Sequence, residues 1–311
     1  MYIKKWGKKM GSKTKVGIAI AATGAAIWAG SKVISKPEKR PVKPFFEGEK
    51  PRVFAHRGGA HLAPENTMAA FRHAAELGVD GFEIDVRLTK DEILVVFHDR
   101  FIDRTTNGAG RIADYTLEEL KEFDLGFHFR DLQGAQSYRG KGEKIVTLQE
   151  LLEAYPDKLI NIDMKEDPDT YEGSLLPSKL WRLIEKLGVE DRVLITSFYD
   201  EQIDRFSLYA QGRVVVGAGE NEAKKAFSLF KSGFGHLYHP RADVLQIPTK
   251  YGILPLDSQT FIEFLTSLNI HVEYWTVNDV ETMDRLLRYG AHGIITDRPD
   301  IAMQLIAHDE S

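Results

Sequence analysis

The sequence predicts an α/β fold, a (β/α)8 barrel of the TIM type, and three features favour this interpretation. Nine short runs rich in apolar and β-branched residues, each of strand length, follow residue 52. Segments with the period of an α-helix separate most of these runs, which is typical of a parallel sheet with helical crossovers. The alternation continues to residue 308, and a chain of 311 residues is long enough for one large barrel. A doubly wound open sheet is the alternative that this pattern leaves open.

One pair among the nine predicted strands must be connected differently from the rest. The strands are Val53–Ala55, Phe82–Leu88, Ile93–Phe97, Leu159–Met164, Val193–Thr196, Val214–Val216, Val244–Ile247, His271–Thr276 and Gly293–Thr296. Only Thr89–Glu92 separates the second strand from the third, which is too short for a crossover helix and long enough for a hairpin. If this hairpin counts as one unit, eight βα units remain.

The helices between the strands have recognisable faces and starts. Over Thr67–Leu77, Ala70, Phe71, Ala74 and Leu77 fall on one face, which predicts a helix packed against the sheet. Residues suited to the first turn of a helix occur where other helices should begin. These residues are Thr147, Pro177, Asp200, Ser258 and Asp279.

The stretch Asp99–Glu143 breaks the alternation of strands and helices. It contains many glycines, and only Leu117–Phe123 indicates a short helix. We therefore predict a barrel domain over residues 52–308, with a segment of about 100–143 inserted after the second strand unit and lying over one barrel mouth.

The N-terminal region predicts a membrane anchor. Residues 1–15 form a basic leader, and an uncharged run of 16 residues follows from Val16 to Ser31. The run is slightly shorter than the roughly 20 residues that span a bilayer, but Lys15 and Lys32 can extend it by snorkelling. We predict a single-pass anchor over residues 16–34 and a proline-containing linker over residues 35–51. A soluble leader is the alternative.

The distribution of charge indicates where the protein acts and what it does not bind. Residues 1–50 carry 12 Lys or Arg and 3 Asp or Glu, a net charge of +9, whereas the remainder has a net charge of −14. The basic leader places the barrel domain outside the cell membrane, and secretion after signal cleavage is the alternative. The acidic body argues against nucleic acid as a partner. The chain contains no cysteine, which excludes disulfides and thiolate chemistry.

Acidic side chains occur where a barrel enzyme places its site. Glu83 and Asp85 are two residues apart in a predicted strand, so they point to the same face, and Asp163 lies on the next strand of the barrel. Carboxylates inside a barrel need compensation, and a hard divalent cation with oxygen ligands supplies it. Lys165 shares a face with Asp163, and its ammonium beside such a cluster suits an anionic ligand such as phosphate.

Two histidines are candidates for proton transfer. His56 and His98 both end predicted strands. Imidazole, with a pKa near ~6.5, can give or take a proton at neutral pH, so two of them across one site can act as general base and general acid. We assign no such role to His61, His73, His128 or His292. Trp275, near the end of a later strand, is a candidate substrate contact.

An ordered set of motifs resembles the glycerophosphodiester phosphodiesterase family. The motifs are His56-Arg57-Gly58, Pro64-Glu65-Asn66-Thr67, Glu83-Ile84-Asp85, His98-Asp99, Thr276-Val277-Asn278 and Thr296-Asp297-Arg298-Pro299. The resemblance covers residues 53–306, nearly the whole body. It implies a barrel with an insertion after the second histidine, and it implies hydrolysis of glycerophosphodiesters to an alcohol and glycerol 3-phosphate.

The resemblance also implies roles for individual residues. It implies a Ca²⁺ or Mg²⁺ ion held by Glu83, Asp85 and Asp163, and it implies His56 and His98 as the acid–base pair. Arg57 and Lys165 would then hold the phosphate. The family more often has glutamate where this chain has Asp163, so the choice of metal is open.

Two questions about the activity remain open from the sequence, and a third interpretation is disfavoured. The nucleophile is either the substrate's own glycerol hydroxyl or water. A related activity, lysophospholipase D-like or phospholipase C-like, would act on the head groups of membrane lipids, and a wide apolar groove beside the site would favour it. A binding protein on a decayed barrel would lack a histidine or a carboxylate, and none is missing.

Overall fold

The structure, a computed structural model, describes Trp28 and residues 30–33, 35–48 and 51–309. Its strands are β1 (Arg52–His56), β2 (Gly81–Leu88), β3 (Leu94–Val96), β4 (Val146–Thr147), β5 (Leu159–Met164), β6 (Val193–Thr196), β7 (Val215–Val216), β8 (Val244–Ile247), β9 (Lys250–Tyr251), β10 (Leu254–Pro255), β11 (His271–Tyr274) and β12 (Gly293–Thr296).

Helices connect most of these strands. The α-helices are α1 (Met68–Glu76), α2 (Leu117–Leu120), α3 (Leu148–Ala154), α4 (Tyr171–Leu187), α5 (Asp200–Ala210), α6 (Glu220–Lys231), α7 (Gln259–Thr266), α8 (Val280–Arg288) and α9 (Pro299–Asp309). Short 3₁₀ helices cover Pro44–Phe46, Ile112–Asp114, Glu190–Arg192 and Gly235–Leu237.

Eight strands form a nearly closed parallel barrel. Their order is β7, β6, β5, β2, β1, β12, β11 and β8, and every neighbouring pair is parallel. The two ends of this row meet through a parallel bridge between Gly217 and Val244. The barrel prediction is therefore confirmed, and the doubly wound open sheet is wrong.

All nine predicted strands are present, and the predicted hairpin is found. β3 pairs antiparallel with the end of β2, through Val86 with Val96 and Leu88 with Leu94. The short strand β4 then pairs with β3 and leads into α3. The hairpin arises because four residues can reverse the chain but cannot cross over the sheet.

Alternate residues of β2 serve two different layers of the fold. Phe82, Ile84 and Val86 are fully buried beneath the surrounding helices, in the largest apolar core of the protein. Glu83 and Asp85, from the other face, point into the barrel, where both are also buried. In β2 this alternation separates the apolar core from the polar interior of the mouth.

Most predicted helix starts agree with the structure, and one does not. The N-caps of α1, α3, α7 and α8 are Thr67, Thr147, Ser258 and Asp279, and α5 begins at Asp200. The start predicted at Pro177 is wrong, because α4 begins at Tyr171, after the N-cap Thr170.

The position of Pro177 inside α4 has a local explanation. Proline has no N–H, so the carbonyl of Gly173 loses its normal helical partner. The side-chain amide of Gln202 donates to that carbonyl over 3.0 Å and replaces the lost hydrogen bond. A sequence pattern cannot reveal such a partner on a neighbouring helix.

The inserted segment has its own small apolar core beside the barrel. This core consists of Val95, Phe97, Ile102, Ile112, Leu120, Leu125 and Ile145. Of the short helix predicted over Leu117–Phe123, only Leu117–Leu120 is α-helical, and these residues form α2. Arg104 and Arg111 connect the insertion to Glu65 and Glu172, which lie in the segments that follow β1 and β5.

The region expected to be a linker packs, over residues 40–46, against the N-terminal ends of the barrel strands. Arg40 and Lys43 both donate to the buried carboxylate of Asp243, over 2.7 to 2.9 Å. Phe46 stacks on His271, with 3.7 Å between ring centroids. Phe45 and Phe46 thereby join the apolar layer that closes this end of the barrel interior.

The predicted membrane anchor falls mostly outside the described residues. Trp28 and residues 30–33 are helical, but residues 16–27 are not described. Among the described residues, no helix combines the length and the apolarity that a membrane crossing requires.

Candidate active site

The first strand of the barrel carries His56 to the mouth, where the last strand holds its ring. His56 ends β1, and Asp297 directly follows β12, the neighbour of β1. The Nδ1 atom of His56 donates to Oδ1 of Asp297 over 2.6 Å. Its Nε2 atom lies 3.8 Å from Oε2 of Glu83, on the side of the carboxylates.

The pKa of His56 reflects these neighbours. Burial by itself lowers the pKa, but Glu83 and the hydrogen bond to Asp297 outweigh it, and the pKa is raised. Asn278 donates to the second oxygen of Asp297 over 2.8 Å, which fixes the carboxylate in turn.

The glycine after Arg57 allows the tight turn that follows β1. Gly58 has a φ of +85°, and a Cβ atom there would lie 2.7 Å from the Cβ of Ala70 in α1. Arg57 itself adopts a φ of +53°. The chain can therefore turn at the barrel mouth with α1 packed closely against it, which explains a glycine at this place in the sequence.

Glu83, Asp85 and Asp163 meet inside the mouth. Asp85 and Asp163 are paired residues of the neighbouring strands β2 and β5. One carboxylate oxygen from each of the three residues lies within 4.8 Å of the other two, and all three side chains are buried. Burial and the adjacent charge of Asp85 raise the pKa of Glu83. The strands thus concentrate negative charge where water cannot screen it.

The hydrogen-bonding state of these carboxylates fits a bound cation. Among the described residues, Oε2 of Glu83 and Oδ1 of Asp163 are buried without a hydrogen-bond partner, and Oδ1 of Asp85 is buried with only the ion-pair contact of Lys165 at 3.1 Å. Buried carboxylate oxygens in this state are unfavourable, and three converging oxygens are the donor set that Mg²⁺ and Ca²⁺ prefer. The three residues could hold a metal ion.

Two cations lie beside the acidic cluster. The Nζ atom of Lys165 lies 2.5 Å from Oδ2 of Asp163 and 3.1 Å from Oδ1 of Asp85. Arg57 places Nε 3.2 Å from Oδ2 of Asp85. Burial would raise the pKa of Asp85, but the charges of Lys165 and Arg57 hold it below its usual range. Arg57 also donates to Glu65 over 3.0 Å.

His98 reaches the mouth by a route different from that of His56. It follows β3, which runs antiparallel to β2 and therefore returns from the rim toward the barrel centre. Arg87 donates to the carbonyl oxygen of His98 over 2.8 Å, and Nδ1 of His98 lies 2.6 Å from Oδ1 of Asp99. Each of the two histidines therefore has its Nδ1 atom bound to a carboxylate.

Arg104 of the insertion connects the two halves of the site. It donates to Oδ2 of Asp99 over 2.5 Å and to both oxygens of Glu65 over 2.6 and 2.7 Å. Asp99 holds His98, and Glu65 holds Arg57. One guanidinium therefore positions both a histidine and an arginine of the mouth.

A cavity of about 580 Å³ begins at this cluster and extends sideways out of the barrel. Near the cluster it is lined by His56, Arg57, Glu83, His98, Asp163, Lys165 and Trp275. The ring of Trp275 packs edge-on against Phe198, with 5.7 Å between centroids. The cavity continues between α6, the β9–β10 hairpin and α7, where its lining becomes mostly apolar.

The structure thus brings the predicted site residues together around one mouth. Asp85 is fully buried behind the cavity and contacts it through Arg57 and Lys165. The sequence analysis named Glu65, Asp99 and Asp297 in motifs without assigning them a role in the site, and it did not name Arg104. Asp297 follows a barrel strand at its C-terminal end, so the position of strand ends could have identified it. No local signal marks Arg104.

A comparison with protein families gives one match that covers most of the chain. A sequence model described as the glycerophosphoryl diester phosphodiesterase family matches residues 56–301. This range begins at His56 and includes every residue of the site described above.

Two relatives illustrate the range of similar proteins. A glycerophosphodiester phosphodiesterase from Caldanaerobacter subterraneus subsp. tengcongensis is 37% identical over 259 residues, which cover 82% of this chain and 97% of the relative. A human protein named lysophospholipase D is 31% identical over 274 residues, which cover 79% of this chain and 82% of the relative.

Solved structures share the barrel. The glycerophosphoryl diester phosphodiesterase domain of a Mycobacterium tuberculosis protein is 21% identical, with a TM-score of 0.71, and the match covers 82% of this chain and 99% of that domain. An Oleispira antarctica phosphodiesterase, solved in complex with the product sn-glycerol-3-phosphate, is 24% identical, with a TM-score of 0.64 and coverage of 83% and 97%. At these identities the likeness concerns the fold.

Proposed function

The chain belongs to the glycerophosphoryl diester phosphodiesterase family and hydrolyses glycerophosphodiesters, and we propose that His56 and His98 transfer the protons beside a metal ion held by Glu83, Asp85 and Asp163. One observation carries the proposal. The buried carboxylates of Glu83, Asp85 and Asp163, each with one oxygen within 4.8 Å of the other two, lie beside the cavity that both histidines line.

The proposed ion is Ca²⁺ or Mg²⁺, since all three ligands are carboxylates. When bound, such an ion neutralises charge on the phosphate and polarises its P–O bonds. Asp163 is one methylene shorter than a glutamate, so its carboxylate reaches less far from β5. All three carboxylates would supply oxygen ligands to either ion, and the choice between Ca²⁺ and Mg²⁺ stays open.

The charges of the site suit an anionic substrate once a divalent cation is present. Glu83, Asp85 and Asp163 supply three negative charges, and Arg57 and Lys165 supply two positive charges. With all three carboxylates ionised, the cluster is net negative without an ion and net positive with a divalent ion. Arg57 and Lys165 then hold the non-bridging oxygens of the phosphodiester as charge builds in the transition state.

The two histidines are prepared to exchange protons through Nε2. Asp297 accepts from Nδ1 of His56, and Asp99 accepts from Nδ1 of His98, so each neutral ring keeps its lone pair on Nε2. One histidine takes the proton of the attacking hydroxyl, and the other gives a proton to the departing alcohol. The attacking hydroxyl belongs either to the substrate's glycerol or to water. The products are an alcohol and glycerol 3-phosphate.

We also propose that residues 16–34 anchor the enzyme in the cell membrane with the barrel outside, and release after signal cleavage is the alternative. The uncharged run and the preceding lysines support this proposal. Trp28 donates from Nε1 to the carbonyl of Gly233, just beyond the C-terminal end of α6, whereas Glu220 at the N-terminal end of α6 borders the cavity. Trp28 is itself one of residues 16–34, so the end of this segment contacts the barrel, at the end of α6 away from the mouth.

Hydrolysis of glycerophosphocholine by the full chain, followed as release of glycerol 3-phosphate, tests the proposed roles. His56→Ala and His98→Ala should each lower kcat at least ~10²-fold with the fold intact, because each removes a proton-transfer group. His128→Ala is the control, because His128 is exposed on the insertion. Near-normal turnover in both site variants would overturn the acid–base assignment.

A further inference from the structure

The side chain of Gln246 faces the reaction cavity but has no role in the reaction derived above. Gln246 lies in β8, is partly buried, and lines the cavity that also contains His56 and His98. In the order of the eight barrel strands, β8 lies opposite β2, which carries Glu83. The amide of Gln246 is therefore a polar group on the wall of the barrel that faces the carboxylates.

A buried carboxylate beside this amide fixes its orientation. The Nε2 atom of Gln246 donates to Oε2 of Glu273 over 2.6 Å, and the two residues are register partners of the neighbouring strands β8 and β11. Glu273 is only 1% exposed. Because an ionised carboxylate can only accept hydrogen bonds, the amide must turn its NH2 group toward Glu273. The carbonyl oxygen Oε1 of Gln246 is then left for the cavity.

The charge of Glu273 makes this carbonyl oxygen a better acceptor. Burial raises the pKa of Glu273 to about 7, although the hydrogen bond from Gln246 and the charge of Arg52 act in the opposite direction. Above that pH the carboxylate is ionised and polarises the amide, since hydrogen bonds in a chain strengthen one another. Among the described residues, the bond to Glu273 is the only hydrogen bond of the Gln246 side chain.

The chemistry of the substrate limits what Oε1 of Gln246 can bind. A phosphodiester is ionised and carries no proton, and a choline head group has no N–H. The hydrogen-bond donors of glycerophosphocholine are therefore its two glycerol hydroxyls. The secondary hydroxyl is the nearer of the two to the phosphate and to the metal cluster. The primary hydroxyl is the one that can extend toward the opposite wall.

We propose that Oε1 of Gln246 accepts a hydrogen bond from the primary hydroxyl of the substrate's glycerol, so that Gln246, oriented by Glu273, selects diesters that carry this hydroxyl. This inference rests on the proposed diesterase site. A site built to bind a hydroxyl discriminates against an analogue that lacks it, because its own polar group is left without a partner. Gln246 touches none of the reacting atoms and therefore determines specificity.

A substrate without the primary hydroxyl and a variant without the acceptor together test the inference. The compound 2-hydroxypropyl phosphocholine lacks the primary hydroxyl of glycerophosphocholine but keeps the secondary one, so it can react by either route of attack. Gln246→Met removes the amide at nearly constant volume, and Ser228→Ala, on α6 in the same cavity, is the matched control. The full chain is assayed on both substrates as choline release, at about pH 8, above the pKa of Glu273.

The expected result depends on the substrate. In the wild type, kcat/KM should be at least ~10-fold lower for the analogue than for glycerophosphocholine. Gln246→Met should lower kcat/KM for glycerophosphocholine to a similar degree, through a higher KM, and should change the value for the analogue less than about twofold. Ser228→Ala should change neither value.

Three outcomes would overturn the inference and leave the proposed function standing. They are equal cleavage of both substrates by the wild type, unchanged kinetics of Gln246→Met on glycerophosphocholine, and equal losses on the two substrates in Gln246→Met, which a merely structural effect would give. The comparison of substrates in the wild type needs no variant, so it decides the question even if Gln246→Met does not fold. A wild type that cleaves neither substrate would instead overturn the proposed function.

Discussion

The Nδ1 atom of His56 lies 2.6 Å from Oδ1 of Asp297, across two neighbouring strands that are 241 residues apart in the chain. This contact joins the first and the last strand of the barrel at the reaction centre. It fixes the tautomer of His56, since the carboxylate accepts the Nδ1 proton and leaves Nε2 free to take one. The pairing of the first barrel strand with the last therefore also orients the imidazole of His56.

Asp297→Asn should lower kcat about 10²-fold or more on glycerophosphocholine. The amide can offer its N–H to Nδ1, which favours the tautomer with the proton on Nε2, where the reaction needs the lone pair. Steady-state kinetics measures the effect, and unfolding by denaturant checks that the fold survives. Asp300→Asn is the matched control, because Asp300 pairs with Arg298 over 2.8 Å outside the mouth. Equal kcat in the two variants would contradict the role of Asp297.

Arg104→Ala should lower kcat/KM about tenfold while leaving the free energy of unfolding nearly unchanged. The guanidinium holds Asp99 and Glu65, which position His98 and Arg57, but half of its side chain is exposed. Lysine cannot replace the forked contacts, so Arg104→Lys should rescue little activity. The exposed Arg130, which donates only to the carbonyl of Gly134 among the described residues, provides the control Arg130→Ala. Full activity of Arg104→Ala would show that the connection is not needed.

Phe46→Ala should lower the free energy of unfolding by about 3 kcal/mol, because it empties part of the apolar layer that closes the barrel. Phe46 is 6% exposed, whereas Val42 in the same segment is 68% exposed. Val42→Ala, the control, should change stability by less than about 0.5 kcal/mol. Denaturant unfolding gives both values. If Phe46→Ala matches Val42→Ala, residues 40–46 do not stabilise the barrel.

Two buried groups at the N-terminal end of the barrel should affect stability with opposite dependence on pH. Burial lowers the pKa of His271 to about 3 and raises the pKa of Glu273 to about 7. Below its usual pKa of about 6.5, His271 takes a proton only in the unfolded chain, so it costs stability as pH falls from there toward 3. Glu273 loses its proton first in the unfolded chain, so it costs stability as pH rises from about 4.5 to 7.

Denaturant unfolding of two variants at pH 5, 6 and 7 separates these effects. The stability of His271→Phe relative to the wild type should increase as pH falls, and that of Glu273→Gln should increase as pH rises. The slope of each difference should not exceed about 1.4 kcal/mol per pH unit. Parallel pH profiles for the wild type and both variants would show that neither pKa is displaced by folding.

The barrel could be predicted from the sequence because the hydrophobic period of each segment, which distinguishes a strand from a helix, depends only on residues close together in the chain. The runs Val193–Thr196, Val244–Ile247 and Gly293–Thr296 agree with strands β6, β8 and β12 at both ends. His56, Glu83, Asp85 and Asp163 could be predicted as neighbours, because parallel strands bring their C-terminal ends to one mouth.

Other features depend on contacts between distant segments, which no local pattern contains. Arg104 lies in an insertion that has no regular hydrophobic period, and it joins the carboxylates of Asp99 and Glu65. Gln202 replaces a hydrogen bond that Pro177 cannot make. Residues 40–46 have the composition of a linker, yet they pack against the barrel because Asp243 binds Arg40 and Lys43.

Direct titration of metal tests the central claim, that three carboxylates at the mouth hold the ion beside which both histidines act. Full-length protein, stripped by chelator, is titrated calorimetrically with Ca²⁺ and with Mg²⁺, and turnover of glycerophosphocholine is followed in the same samples. We predict one site per chain in the wild type and in the control Asp191→Asn, since Asp191 is exposed on the 3₁₀ helix Glu190–Arg192. In the double variant Glu83→Gln, Asp163→Asn, both binding and turnover should be lost. Undiminished binding in the double variant, or full wild-type turnover in excess chelator, would contradict the account.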